Sequence, residues 1–333
     1  MEAQRDRAEA LERLLDKIPQ AAARIRGRVH RTPLLSSRTL GSMVRAPVHL
    51  KAENLQKTGS FKVRGALHRV STLTEEERRR GVVSVSAGNH AQALAWAAGA
   101  EQVPATLVMP ASASQTKVDA VRAYGARALL HGDVFQAFEK ALELERREGL
   151  VFVHPFDEPD VVAGQGTVGL EIAEDLQEVE TVVVPVGGGG LLAGTAAALK
   201  GRGSGPRIVG VEPEGAASLH ASLRAGRAVR LDRVDTVADG LAPPMAGTLA
   251  LEAAEEWVDE VVLVTDDEIR DAMRFILSRA KLLTEPAGAA GVAGLLSGRI
   301  TGALEGPVVA ILSGGNVDPT LLREILAEPD PRG

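Results

Sequence analysis

No cysteine occurs anywhere in the chain, which excludes disulfides, thiolate metal sites and a cysteine nucleophile while leaving the compartment open. Positive charge is short as well: the formal net charge is -6, so nucleic acid is not an expected partner. No apolar run is long enough to cross a membrane. The longest stretch free of charge and histidine, 181–199, is cut by Pro185 and four successive glycines, and it reads as strand, loop and helix. Residues 1–17 are dense in charge and lack the apolar segment of a secretory signal, so a cytoplasmic location is expected. The seven histidines show no metal-ligand spacing. What is there is ordinary globular material, 45% hydrophobic and 25% charged, and 333 residues suffice for about two domains.

Leu11, Leu14, Leu15, Ile18, Ala22 and Ile25 recur at helical spacing and predict an amphipathic first helix. From residue 82 onward, short apolar runs at 82–85, 105–109, 126–130, 150–153, 181–186, 207–211 and 308–312 alternate with helical stretches. That alternation is the mark of an α/β fold with parallel sheets. No linker or fixed-period repeat divides the chain. In open parallel sheets ligands bind beyond the carboxyl ends of the strands, so the loops there carry the interest. Three are unusual: Ser86-Ala87-Gly88-Asn89-His90, the run Gly187, Gly188, Gly189 and Gly190, and Ser313-Gly314-Gly315-Asn316.

The four glycines lack Cβ atoms and can turn successive amides inward at the start of a helix near Leu191, which makes an anion cradle, most plausibly for phosphate. A flexible tight turn is the plainer alternative. Gly188, Gly190 and Ala193 also fit the dinucleotide pattern G-x-G-x-x-A, with Glu212 placed as its ribose-binding acid, although that reading explains one loop of three. Lysine occurs only eight times, and Lys62 stands beside Phe61 in a chain that is 3% aromatic. A helix start and the charge of Arg64 would depress its pKa and let it form a Schiff base at neutral pH; otherwise it is a surface lysine after a turn. A Schiff-base lysine, a phosphate cradle, an aromatic cover and a strand-end hydroxyl together describe a pyridoxal phosphate site.

These motifs, with Ser60-Phe61-Lys62-Val63-Arg64-Gly65-Ala66, Lys57-Thr58-Gly59 and Ala163-Gly164-Gln165-Gly166-Thr167, resemble the threonine/serine dehydratase and serine racemase family of fold-type-II, tryptophan synthase β-like pyridoxal phosphate enzymes. The likeness runs in order from about residue 31 to 318. It implies a large parallel-sheet α/β domain, 1–76 and 158–333, with a smaller α/β domain, 77–157, inserted and the active site in the cleft between them. Lys62 would be the Schiff-base lysine and proton shuttle, with Phe61 against the cofactor ring. Asn89 would bond the phenolic oxygen, Gly187, Gly188, Gly189 and Gly190 would hold the phosphate, and Ser313 would face the pyridine nitrogen. A hydroxyl there does not keep that nitrogen protonated, which favours β-elimination over transamination. Ser86, Gly88, Asn89 and His90 would receive the substrate carboxylate, although Asn89 and His90 also read as helix-capping residues. The implied reaction is that of an L-threonine/L-serine ammonia-lyase, in which the cofactor phosphate acts as the acid for the leaving hydroxyl.

Departures from the family pattern shape the expectation. Racemases of the family carry a second serine where this chain has Ala87, and a methyl group cannot exchange a proton. A serine or hydroxyaspartate racemase/dehydratase is therefore the second expectation. A nicotinamide-dependent oxidoreductase and a non-catalytic binding protein are the expectations of other classes. Relatives that bind a divalent cation would do so here through Glu212 and the backbone of Ala216, but Ser218 replaces a carboxylate, which weakens such a site. Ser313 lies twenty residues before Gly333, so feedback inhibition through a C-terminal module is not expected. A β-hydroxy amino acid is the expected partner, and a homodimer or homotetramer the expected assembly. Thr265-Asp266-Asp267-Glu268 reads as a capping box, Arg78, Arg79 and Arg80 as a solvated helix end, and Glu285 as a secondary site candidate or simply the start of a helix at Pro286.

Overall fold

The segment Val182-Val183-Val184 has no polar position, and a strand without a polar face must be covered on both sides. The computed structural model describes residues 2–327. Its strands are β1 (Leu34–Ser36), β2 (Val48–Lys51), β3 (Val82–Val85), β4 (Ala105–Met109), β5 (Arg127–Leu130), β6 (Val151–Phe152), β7 (Thr181–Pro185), β8 (Arg207–Pro213), β9 (Glu260–Val264) and β10 (Val308–Ile311). They form a six-stranded sheet of order β1-β2-β10-β7-β8-β9 and a four-stranded sheet of order β5-β4-β3-β6. Every pairing is parallel except that of β1 with β2. The strands of the smaller sheet all fall between residues 82 and 152. Parallel sheets with helices on both faces are what the alternating pattern implied.

β7 lies inside the larger sheet, and the alternation of its side chains separates two cores. Val182 and Val184 join Ile208, Val309 and Ile311 under the helices Glu2–Ile25, Pro159–Asp175, Gly190–Lys200 and Thr248–Trp257. Val183 joins Val209, Val211 and Ala310 under the helices Asp266–Phe275 and Pro286–Leu296. Each such valine contributes about 1.5 to 3 kcal/mol by leaving water. In the smaller sheet Val82, Leu107 and Met109 pack with the helices Lys62–Ser71 and Asn89–Ala100, while Val83, Val85 and Val108 pack on Val134–Glu148. The first helix buries Leu11, Leu14, Ile18 and Ile25, as its spacing requires. Among the described residues no helix is long and apolar enough to cross a membrane.

Pro159–Asp175 is the spine to which the functional segments are fastened. A Cβ on Gly164 would stand 2.5 Å from the Cα of Gly65, and one on Gly194 2.6 Å from the amide of Gly166. The helices Lys62–Ser71 and Gly190–Lys200 therefore meet the spine backbone to backbone. β7 and β10 are adjacent and parallel, so the loops after them emerge on one rim.

Candidate active site

The polypeptide leaves β7 into residues 187–190, all buried, and Gly189 adopts φ 85 at the N-cap of Gly190–Lys200. That left-handed backbone is accessible to glycine at no steric cost. Among the described residues the amides of Gly187, Gly188, Gly189 and Gly190 find no acceptor, since the turn is held from outside by Val186 N donating to Val211 O and Gly247 N donating to Gly188 O. Buried amides without acceptors at a helix N-terminus are completed by an anion. Side chains are excluded from the loop: a Cβ on Gly188 would strike the Phe156 ring, and one on Gly190 would lie 2.7 Å from Phe156 O.

Lys62 opens the helix Lys62–Ser71, and the preceding Phe61 amide donates to Ser313 O at 3.1 Å. The side chain is half-buried, and its amine donates to Pro155 O at 2.8 Å. Desolvation lowers the amine to a pKa of about 8. Pro155 precedes Phe156, the residue against Gly188, so amine and glycine loop flank one short segment. The Lys62 Nζ stands 5.2 Å from the Phe61 ring centroid. Arg64 is not the cause of the lowered pKa, contrary to the expectation. It is fully buried, and it pairs with Glu53 at 2.8 Å and Glu171 at 2.7 Å. Its charge is neutralised there.

Ser313 is 3% exposed, and its hydroxyl donates to Ala287 O at 3.3 Å. Asn89 reaches across from the smaller sheet: its Nδ2 donates to Glu285 Oε1 at 2.5 Å, and its Oδ1 accepts from Asn316 Nδ2 at 2.7 Å. Glu285 does begin the helix Pro286–Leu296, but its carboxyl is not the cap. Burial pushes that carboxyl up to about 7, against the opposing bond from Asn89. Ser86 turns its hydroxyl back to accept from Gly88 N at 3.1 Å, and the helix Asn89–Ala100 starts directly after. His90 is 3% exposed; its Nε2 lies 3.0 Å from Ser84 Oγ, behind the loop. Burial, then the nearby Lys62 charge, hold its ring well below the usual histidine pKa.

Glu212 belongs elsewhere. It is fully buried, and its two oxygens accept from Leu219 N and His220 N, both at 2.8 Å, closing the start of the helix Ser218–Ala225. Burial raises this carboxyl to about 7. A carboxylate so engaged does not reach a ribose, which removes the observation behind the nicotinamide reading. Ala216 lies in the turn just before that helix. Among the described residues no group of three or more histidine and carboxylate side chains is placed to hold a metal ion.

Reading of the sequence missed the segment after β6. There His154 Nδ1 accepts from Asp157 N at 2.9 Å, its ring meets Phe156 edge-on at 4.7 Å between centroids, and Asp157 accepts from Thr248 N and Leu249 N. The signal was available, because this too is a loop at a strand's carboxyl end. Comparison with known proteins agrees with the geometry. An L-threonine ammonia-lyase of Thermotoga maritima is 48% identical over 314 residues, covering 94% of this chain and 78% of that protein. The catabolic L-threonine dehydratase of Escherichia coli is 42% identical over 313 residues, covering 93% and 95%. The structure of maize serine racemase superposes with a TM-score of 0.90 at 37% identity, covering 94% of this chain and 96% of that one. Residues 25–314 match the family described as pyridoxal-phosphate dependent enzyme, and with its fold-type-II architecture the chain belongs to that family.

Proposed function

We propose that this enzyme is an L-threonine/L-serine ammonia-lyase, which eliminates water from a β-hydroxy amino acid to give an enamine that water then hydrolyses to ammonia and a 2-oxo acid. The observation that carries the reading is the pairing of the desolvated Lys62 amine with acceptor-free buried amides at residues 187–190 across the Pro155-Phe156 step. These features fit pyridoxal phosphate: an amine for its aldehyde and a dianion cradle walled by Phe156. When bound, the cofactor supplies an electron sink for charge developing at the substrate Cα. Identity to an L-threonine ammonia-lyase supports the substrate class.

Each residue then has a task. Lys62 would hold the cofactor through its amine and would serve as the base for the proton at the substrate Cα. Ser313 would offer its hydroxyl to the ring nitrogen, and Asn89 would donate to the phenolic oxygen. Ser86, Gly88 and the first amides of Asn89–Ala100 receive the substrate carboxylate, which the positive helix terminus favours. His90 contributes by packing under this loop through Ser84. At Ala87 a methyl group stands on the loop, so this position supplies no second base to return the proton to the opposite face. The cleft walls are the large domain, 1–76 and 158–333, and the small domain, 77–157, a division supported by the grouping of β3 to β6.

The test is a substrate panel on the pyridoxal phosphate-loaded protein with detection of 2-oxo acid, beside Lys62→Ala. Threonine or serine should yield 2-oxo acid and ammonia in equal amounts, with Lys62→Ala inactive; a panel without product rejects the reading. Steady D-serine formation at the rate of pyruvate release would show that the Ala87 reasoning is wrong. A homodimer or homotetramer belongs to the same reading, supported by the exposed Leu35 on the edge strand β1 and the exposed Met43 on the helix Arg38–Val44, and light scattering checks it. The reading also places the enzyme with the cytoplasmic amino-acid pool, which cell fractionation checks.

A further inference from the structure

The orientation of the Asn89 amide is dictated by a chain of hydrogen bonds that begins at a main-chain carbonyl. Thr58 O accepts from Asn316 Nδ2 at 2.7 Å, and the same Nδ2 donates to Asn89 Oδ1 at 2.7 Å. Asn89 Nδ2 then donates to Glu285 Oε1 at 2.5 Å. A carbonyl oxygen can only accept, so Asn316 must turn its nitrogen to Thr58. Asn89 must therefore turn its oxygen to Asn316 and its nitrogen away. Glu285 occupies one of the two protons on that nitrogen and leaves the other.

Both ends of the chain are rigid. Thr58 sits at φ 59, a left-handed conformation that a β-branched residue avoids, and Gly59 O accepts from Gly315 N at 2.9 Å beside it. Glu285 is 4% exposed, and its amide donates to Gly314 O at 3.1 Å. A Cβ on Gly314 would fall on Glu285 Oε1, so the absence of a side chain there makes the space the carboxyl fills.

This inference rests on the pyridoxal phosphate reading above. We propose that Glu285 is a positioning residue: with Asn316 it locks the Asn89 amide so that an N–H, never the carbonyl, faces the cofactor's phenolic oxygen, and that donor keeps the oxygen ionised. The carboxyl serves as an acceptor whether or not it carries a proton. Other charged or titratable groups around it are few. Asp239 of the turn Asp239–Leu241 and Lys117 of the helix Gln115–Ala123 pair with each other at 2.6 Å, His90 lies on the helix of Asn89, and the helix Pro286–Leu296 and residues 313–316 bring none.

The experiment is a pH titration, from about pH 6 to about pH 9, of the visible absorption of bound pyridoxal phosphate in the wild type, Glu285→Ala, Asn316→Ala and Glu285→Gln. Each alanine variant removes one of the two hydrogen bonds that hold the Asn89 amide, and the apparent pKa of the phenolic oxygen should rise, by up to about one to two units, the worth of a hydrogen bond to an ionised group. Glu285→Gln keeps an acceptor oxygen and should restore the wild-type titration. Alanine variants that carry a full complement of cofactor and titrate like the wild type overturn the inference while leaving the functional reading intact. Asn316→Ala approaches the same amide from the other end, so a fold defect in Glu285→Ala does not decide the matter. A wild-type protein that takes up no pyridoxal phosphate overturns both.

Discussion

Replacing Arg64 with methionine removes the hub of a buried ion network and keeps most of the side-chain volume. Arg64 donates to Glu53 through Nε and Nη2, both at 2.8 Å, and to Glu171 at 2.7 and 2.9 Å. Without it Glu53, which is fully buried, keeps only Thr32 and the more distant charge of Lys51. Stranding a buried charge costs about 3 to 5 kcal/mol. With about 2 cal/mol/K of unfolding entropy per residue over 333 residues, that is a fall in Tm of roughly 4 to 7 °C. The pH dependence has a definite sign. Burial pushes the Glu53 carboxyl up, but Arg64 overcomes it and holds it below 4.5, so in the wild type this group stabilises at pH above 4.5 and the benefit is lost as pH falls through its lowered value. In Arg64→Met burial outweighs what Thr32 and Lys51 still supply, the pKa should lie above 4.5, and the variant should instead lose stability as pH rises. The gap between the two proteins should therefore be wide near pH 7.5 and narrow near pH 5, as read by calorimetry on the holoenzyme. The double variant Glu53→Gln/Arg64→Met should recover at least half the loss at the higher pH. A Tm change under about 1 °C, or a gap independent of pH, would refute the reasoning.

Three further outcomes follow from the site. The apoenzyme's Lys62 amine has a pKa of about 8, so borohydride trapping of pyridoxal phosphate on it should be half-maximal near that pH and fall about tenfold per unit below; a rate that rises only in the ordinary lysine range contradicts the desolvation. Gly188→Ala drives a methyl group into the Phe156 ring and should weaken cofactor retention at least about tenfold in equilibrium dialysis, with overpacking costing about 1 to 3 kcal/mol in stability; unchanged retention would reduce the loop to a turn. Asp157→Ala uncaps the amides of Thr248 and Leu249 and should cost about 1 kcal/mol in a denaturant melt, whereas no loss would show those bonds to be idle.

What was legible in the sequence was local. Four consecutive glycines, a lysine beside phenylalanine and apolar runs of β-branched residues announce themselves without knowledge of the fold. Arg64 was misread because its meaning depends on partners 11 and 107 positions away. β2 escaped notice for the same reason: Val-His-Leu-Lys reads as polar, yet Lys51 is fully buried and pairs at 2.7 Å with Glu171, 120 residues further on. β1 lacked the apolar signature of the central strands because it is a short edge with exposed positions. Glu285 reads as a secondary site candidate or a helix start, and its backbone is the latter, while the destination of its carboxyl could be known only once the smaller sheet was folded against the larger. Strand ends shifted by a residue or two, since periodicity marks the middle of an element better than its limits.

The glycine seams on Pro159–Asp175 determine which parts of the cleft can travel. Backbones in direct contact leave no side-chain cushion along which one helix could slide, so the Lys62 helix and the helix behind the glycine loop are welded to a common beam. The wall that carries Asn89 is tied to the beam's side by the hydrogen bonds to Asn316 and Glu285, by the Lys117–Asp239 pair and by the core that Asn89–Ala100 shares with Lys62–Ser71. Lys62 and the glycine loop thus keep one fixed spacing, set where side chains are missing rather than where they are present.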